Sequence, residues 1–342
     1  MNKSMIMVAM AAVAMTSCSN NEFDGPEVPT EGDRMELKIG TGVDGMTTRS
    51  AITRAPISTN DNVTADFLCF MASQDGTSIN TDTLSTLYDK TTGTFTANAA
   101  AQAVSLTKIL YYPGDKGESI LRAYVAGVHP AGGTLNNQTV TFASTDGQQD
   151  VMFAKPVDFN TAQAAKAAET SGGINASLEF SHQTSQLYFM ADTVAHNPTT
   201  GGAFAGPVTI KSIEVINAQV PKSMNVATGA ITWTNKANLS VQNVSSEALT
   251  NELKSVCDPV MVAPSAEIRL NVVITVNGVD KTFPNVLIKK DATSNLVSVV
   301  GKKHKISLKF NAPAYADQSK IQLNVSASVI EWAEGDSGEA EL

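Results

Sequence analysis

The feature that most limits what this chain can fold into is a two-residue period. In "KIQLNVSASVIEW" (320–332), Ile321, Leu323, Val325, Ala327 and Val329 alternate with Gln322, Asn324, Ser326 and Ser328. A helix would scatter those five apolar side chains around its axis, whereas a strand sets them all on one face. The same period marks "RMELKIGTGV" (34–43), "VTIKSIEVINA" (208–218), "EIRLNVVITV" (267–276) and "KKHKISLKFN" (302–311). Shorter runs read the same way at 66–73, 93–99, 108–114, 119–128, 138–144 and 150–156, with Gly, Pro, Asn and Asp between them. Asn277-Gly278 separates two alternating runs and predicts a tight hairpin. "ASLEFSHQTSQLYFMAD" (176–192) predicts either two strands or one bent strand. The Ala-rich "NTAQAAKAAETSGG" (160–173), closed by two glycines, predicts a short helix or a linker.

Short strands at this spacing predict an all-β protein built of sandwiches. At about 150 residues per domain, 342 residues suit two domains, with a boundary near 160–175. Only 17% of residues are charged and the formal net charge is −9, with no basic stripe. That balance argues against nucleic acid as a partner.

The N-terminus has its own logic. "MNKSMIMVAMAAVAMTSC" carries Lys3, an apolar run from Met5 to Met15, and small residues before Cys18. The run is too short to span a bilayer and fits a signal-peptide core. Thr16-Ser17-Cys18 resembles a bacterial lipobox, with Met15 where Leu is usual. That resemblance implies residues 1–17 as a lipoprotein signal peptide and acylation of Cys18, palmitate included. Two or three acyl chains would anchor the chain firmly in a membrane. The polar, acidic stretch 19–33 reads as a tether. The remaining cysteines, Cys69 and Cys257, are expected to be unpaired.

No catalytic pattern survives inspection. "TVAH" (193–196) and "GDSG" (335–338) echo protease motifs, but Ser337 stands five residues from the end, with no chain left to build a specificity pocket. His129, His182, His196 and His304 lack metal-ligand spacing, and "STDGQQD" lacks the remaining ligands of a calcium loop. No phosphate-binding or dinucleotide fingerprint is present. The expectation is a non-enzyme with no cofactor and no metal.

Several segments in order resemble the fimbrillin family, the lipoprotein-derived subunits of type V pili in Bacteroidia. They are the leader with Cys18, "MELKI…TTRSAITRA", "ILYYPGDKGESILRAYVAGVHP", "GQQDVMFAKP", "LEFSHQTSQLYF" and "GKKHKISLKFN" followed by "ASVIEWAEG". The resemblance implies two transthyretin-like β-sandwiches, at 50–170 and 171–342. It implies export to the outer membrane on lipidated Cys18 and removal of the propeptide 18–49 by an arginine-specific protease. It further implies assembly with other pilus subunits into a cell-surface fimbrium that serves adhesion.

Two places in the sequence fit assembly by strand exchange. A cut at Arg49–Ser50, or at Arg54–Ala55, would free "MELKI" together with the lipid and leave a bare sheet edge. The alternating strand with Ile321, Leu323, Val325, Ala327 and Val329 could serve as the donor. Burying four of its side chains is worth at most roughly 6–12 kcal/mol. Ile330 and Trp332 fall on the opposite parity, which predicts a bulge or bend. The same strand could instead be the last core strand of its own subunit, which would suit a tip pilin. The other open alternative is an anchored lipoprotein that binds a glycan or host ligand.

Overall fold

The computed structural model describes residues 34–43, 61–72, 86–98, 102–113, 121–136, 138–168, 176–194, 202–291, 293–313 and 321–331. The chain is almost entirely β. Its first half contains β1 (Ile39–Val43), β2 (Asn62–Ala72), β3 (Thr86–Thr96), β4 (Gln102–Ala103), β5 (Ser105–Leu106) and β6 (Arg122–His129). It continues with β7 (Thr134–Asn136), β8 (Thr139–Thr141), β9 (Met152–Thr161), α1 (Ala162–Ala168) and β10 (Ala176–His182). The expected helix is α1. Thr161 caps it, its Oγ1 accepting from the Ala164 amide at 3.1 Å.

Eight of these strands form one sheet in the order β4-β1-β10-β9-β6-β2-β3-β5. Its two end strands, β4 and β5, are separated in the chain by Val104 alone. The sheet therefore curls until its ends are stitched together by one short segment. Val104 donates to the Ile39 carbonyl at 3.2 Å, and Leu106 pairs with Gly93. The curl encloses Val63, Ala65, Phe67, Phe95, Leu178 and Phe180. Phe180 stacks on Phe95 with centroids 5.1 Å apart and meets Phe67 edge-on at 6.1 Å. Gly127 is dictated by this ring: a Cβ there would stand 2.2 Å from Phe180.

The run 108–114 is not the regular strand its pattern predicts. Only Tyr111 bridges, to Glu36, flanked by bonds between Leu37 and Leu110 and between Tyr112 and Met35. Pro113 follows without an N–H and cannot extend the pairing.

The second half contains β11 (Ser185–Val194), β12 (Val208–Ala218), β13 (Pro221–Asn225), β14 (Ile231–Trp233), β15 (Ala237–Ser240) and β16 (Lys254–Ser255). It ends with β17 (Val260–Val262), β18 (Arg269–Val276), β19 (Val279–Leu287), β20 (Lys302–Asn311) and β21 (Gln322–Glu331). One sheet runs β16-β11-β20-β21, with β17 also on β11, and a second runs β15-β12-β18-β19. Leu187, Phe189, Ile306 and Phe310 from the first meet Ile210, Ile213, Leu270 and Ile274 from the second. This is sandwich packing of two inner faces. The hairpin sits where it is expected, with Val276 opposite Val279. Asn277 and Gly278 both have positive φ, 47° and 77°, as a type I′ turn requires.

A further sheet, β14-β13-β8-β7, draws strands from both sides of the 160–175 segment. It covers the outer face of the curled sheet. Leu68, Phe70, Tyr124 and Phe153 pack there against Val140, Met224 and Val226. Nearby, Met261 donates to the Gly147 carbonyl at 2.7 Å and Gln148 Nε2 to the Pro259 carbonyl at 3.2 Å. The two halves thus share one sheet and one core.

Candidate assembly groove

The first strand is the part of the fold with the most unusual setting. All five residues of β1 are buried. It runs parallel to β10, with Thr41 opposite Leu178, and antiparallel to β4 on its other side. Leu37, Ile39 and Val43 are 1%, 4% and 1% exposed and belong to the curled sheet's core. Bonds along its length include Leu37 N to Leu110 O (2.8 Å), Tyr112 N to Met35 O (3.0 Å) and Val43 N to Asn98 O (2.8 Å). An N-terminal segment is thus an interior strand, paired on both sides. The sequence pattern marks a strand over "RMELKIGTGV", and its second half, "IGTGV", is the part that forms the regular ladder.

Remove this strand and β10 loses its ladder partner on one side, keeping β9 on the other. The space left would be lined by Leu178, Phe180, Leu110 and Tyr112, all almost wholly buried. Tyr112 is pinned by its hydroxyl, which donates to the Phe159 carbonyl at 2.9 Å. The vacancy would be an apolar groove flanked by an unpaired β10 edge and by β4. Such a groove would suit an extended strand.

A family model described as fimbrillin-like matches residues 50–332. The chain belongs to the fimbrillin-like family. Members of that family are structural fimbrial subunits and not enzymes, as the missing catalytic motifs lead one to expect. No curated protein matches the chain. Among solved structures it is similar to a putative cell adhesion protein from Bacteroides uniformis, at 16% identity and TM-score 0.51, covering 88% of this chain and 100% of that one. It is also similar to a fimbrial protein from Bacteroides vulgatus, at 12% identity and TM-score 0.46, covering 86% and 99%.

The other strand that matters in this fimbrillin-like chain is β21. It pairs antiparallel with β20 from Gln322 opposite Asn311 to Glu331 opposite Lys302. It lies at the sheet's edge. Ile321 is buried, and Leu323, Val325 and Ala327 are half-buried against the second core. Gln322, Asn324, Ser326 and Ser328 are exposed. The alternation therefore works as read. The side chain of Val329 lies outside the described residues. The bulge predicted beyond Val329 is not there: the ladder continues in register to Glu331. An edge strand with an open outer face can change its apolar parity without breaking its pairing.

Cys18, Arg49, Ser50, Arg54 and Ala55 lie outside the described residues, as do His196, Trp332 and Ser337. Cys69 and Cys257 are unpaired, as expected. Burial pushes each thiol up to about 12, so neither is a reactive thiolate at neutral pH. His182 is structural: its Nδ1 lies 3.1 Å from Asp150 Oδ1, both groups buried. Among the described residues no three metal-binding side chains cluster. The sequence pattern includes Thr41 and Val43 in the strand over 34–43 but marks only "MELKI" as the removable piece; the structure buries both residues beside it. Their signal is the unbroken period from Leu37 to Val43.

Proposed function

We propose that this chain is a pilus subunit, made as a lipoprotein on Cys18, whose first strand is a removable plug. An arginine-specific protease cuts after Arg49, with Arg54 as the alternative, and the segment 18–49 leaves with its lipid from the outer membrane. Another subunit's β21 then enters the vacated groove, and repetition builds a cell-surface fimbrium that serves adhesion. The observation that carries this reading is the interior position of β1. The family match begins at residue 50, one past Arg49, which favours that bond.

The energetics favour the exchange. At home, β21 has a partner on one side only among the described residues and half-buries Leu323, Val325 and Ala327. In the groove it would be paired on both sides, at positions where β1 leaves its core side chains at most 4% exposed. Each side chain taken from half to full burial gains on the order of 1 kcal/mol. The ten-residue ladder to β20 is exchanged for new ladders and not simply lost. That same ladder favours a second reading, a tip subunit that keeps its own last strand.

The test is the N-terminus of protein recovered from cells. A start at Ser50 or Ala55 supports removal of the plug. A start at Cys18 replaces this reading with that of an anchored lipoprotein that binds a glycan or host ligand. In vitro, an arginine-specific protease should convert monomer into polymer. Cleaved protein that stays monomeric at high concentration sinks the stalk assignment and leaves the tip.

A further inference from the structure

We infer that Thr41 makes β1 a replaceable occupant, so that the groove selects an incoming strand with an apolar side chain at that position. This deepens the strand-exchange reading and rests on it. The inward positions of the segment are Leu37, Ile39, Thr41 and Val43, and Thr41 is the one polar residue among them. It is 0% exposed, and its Oγ1 has no hydrogen-bond partner among the described residues. Its ladder neighbour on β10 is Leu178, also 0% exposed. A hydroxyl held there gives up its hydrogen bonds to water and receives nothing in return. The flanking Gly40 and Gly42 weaken the strand further, since they bring no side chain to pack and cost more backbone entropy to order. The strand that fits better is a second copy's β21, which presents Leu323, Val325 and Ala327 in succession and carries no glycine. Any register that seats these three inward leaves no hydroxyl at the position Thr41 now fills.

The experiment has two arms. In the intact protein, Thr41→Val should raise the folding constant of the curled sheet about five- to hundredfold, read as a higher urea midpoint at unchanged slope. Thr41→Ser keeps the hydroxyl and should not stabilise. A Thr41→Val protein no more stable than wild type overturns the assignment. In the cleaved protein, synthetic peptides 35–43, 35–43 with Val at 41, and 320–330 are compared for binding. The last two should bind more tightly than the first. If the native and Val peptides bind equally, the role of Thr41 falls while the groove stands. If none binds, the groove and the role of Thr41 fall together.

Discussion

Ile39→Ala in the uncut protein tests how much of the curled sheet depends on its first strand. Ile39 is 4% exposed and its carbonyl accepts from Val104, the residue that stitches the sheet's two ends. Truncating a buried Ile to Ala costs roughly 2–5 kcal/mol, the range reflecting how far the cavity collapses. The three apolar side chains Leu37, Ile39 and Val43 together contribute roughly 5–9 kcal/mol by burial. That is a large part of a stability typically about 5–15 kcal/mol. The proper readout is local, because the chain has several cores and opening near β1 need not unfold the others. Amide exchange at Leu37, Val43 and Val104 reports the bonds that tie the segment in place. Their protection should fall about 30-fold or more, at tenfold per 1.4 kcal/mol. Leu296, which donates to Ile288 in the second half, should not change. After an arginine-specific cut the same substitution should have no effect on the product, because residue 39 has gone. Less than a threefold change in the uncut protein would refute the packing argument. An effect that persists after cutting would show that the segment stays in place, and the plug reading would be lost.

Two more outcomes follow from other parts of the fold. Gly127→Ala forces a methyl against Phe180, 2.2 Å away. Overpacking of that kind costs about 1–3 kcal/mol, so calorimetry should show a lower Tm, by several degrees, for the first half, and an unchanged Tm would mean the ring has room to move. Stability should also fall on mild acidification. Burial holds the His129 and His304 imidazoles below their ordinary range. As pH drops through the unfolded value, about 6.5, the unfolded chain takes up protons that the folded chain refuses, and stability is lost until the folded values are passed. Asp192 acts in the opposite sense, since burial raises its carboxyl. The difference between wild type and His304→Gln isolates the imidazole, whose Nε2 accepts from the Val299 amide at 3.1 Å. Equal pH slopes in the two proteins would remove His304 from the account.

Much of this fold is legible in the sequence, wherever one face of a strand is buried and the other wet. β12, β18, β20 and β21 show that period, and Asn277-Gly278 marks its hairpin without ambiguity. β1 is harder. Gly40 and Gly42 stand where outward polar side chains would have marked the strand, so the pattern over 34–43 is weakest at its end, where the regular ladder forms. The strands β4, β5, β16 and β17 have only two or three residues each, too few to show any period. Their pairing is imposed by the sheets around them. Least legible is the sheet shared by the halves. Val140 pairs with Met224, a contact between residues far apart in the chain that no local pattern announces. The groove is legible in part: the alternation of β21 is open to view, while the interior setting of β1 depends on the curl of the whole sheet.

The division of the described residues into three cores explains how a strand could leave without unfolding the rest. β1 contributes only to the core inside the curl. The core on the outer face of β2, β6 and β9 contains no residue of β1 and is held from behind by β8 and β13. The sandwich core of the second half is equally independent of it. Loss of β1 therefore opens one side of one core, next to β10, and leaves a scaffold able to hold the groove in shape. A matching provision exists where the donor would depart. Without β21, β20 becomes the sheet edge, and it carries Lys302, Lys303, Lys305 and Lys309. Lysines on an exposed edge discourage pairing with further strands. Lys303 lies over the Tyr188 ring at 4.4 Å and Lys309 Nζ lies 3.5 Å from Asp192 Oδ2, so these two are held by β11 and not by β21. The place that β1 would vacate is lined by apolar side chains, whereas the edge that a departing β21 would uncover carries lysines. That asymmetry would direct each β21 toward the groove of the next subunit and away from the edge its own departure exposes.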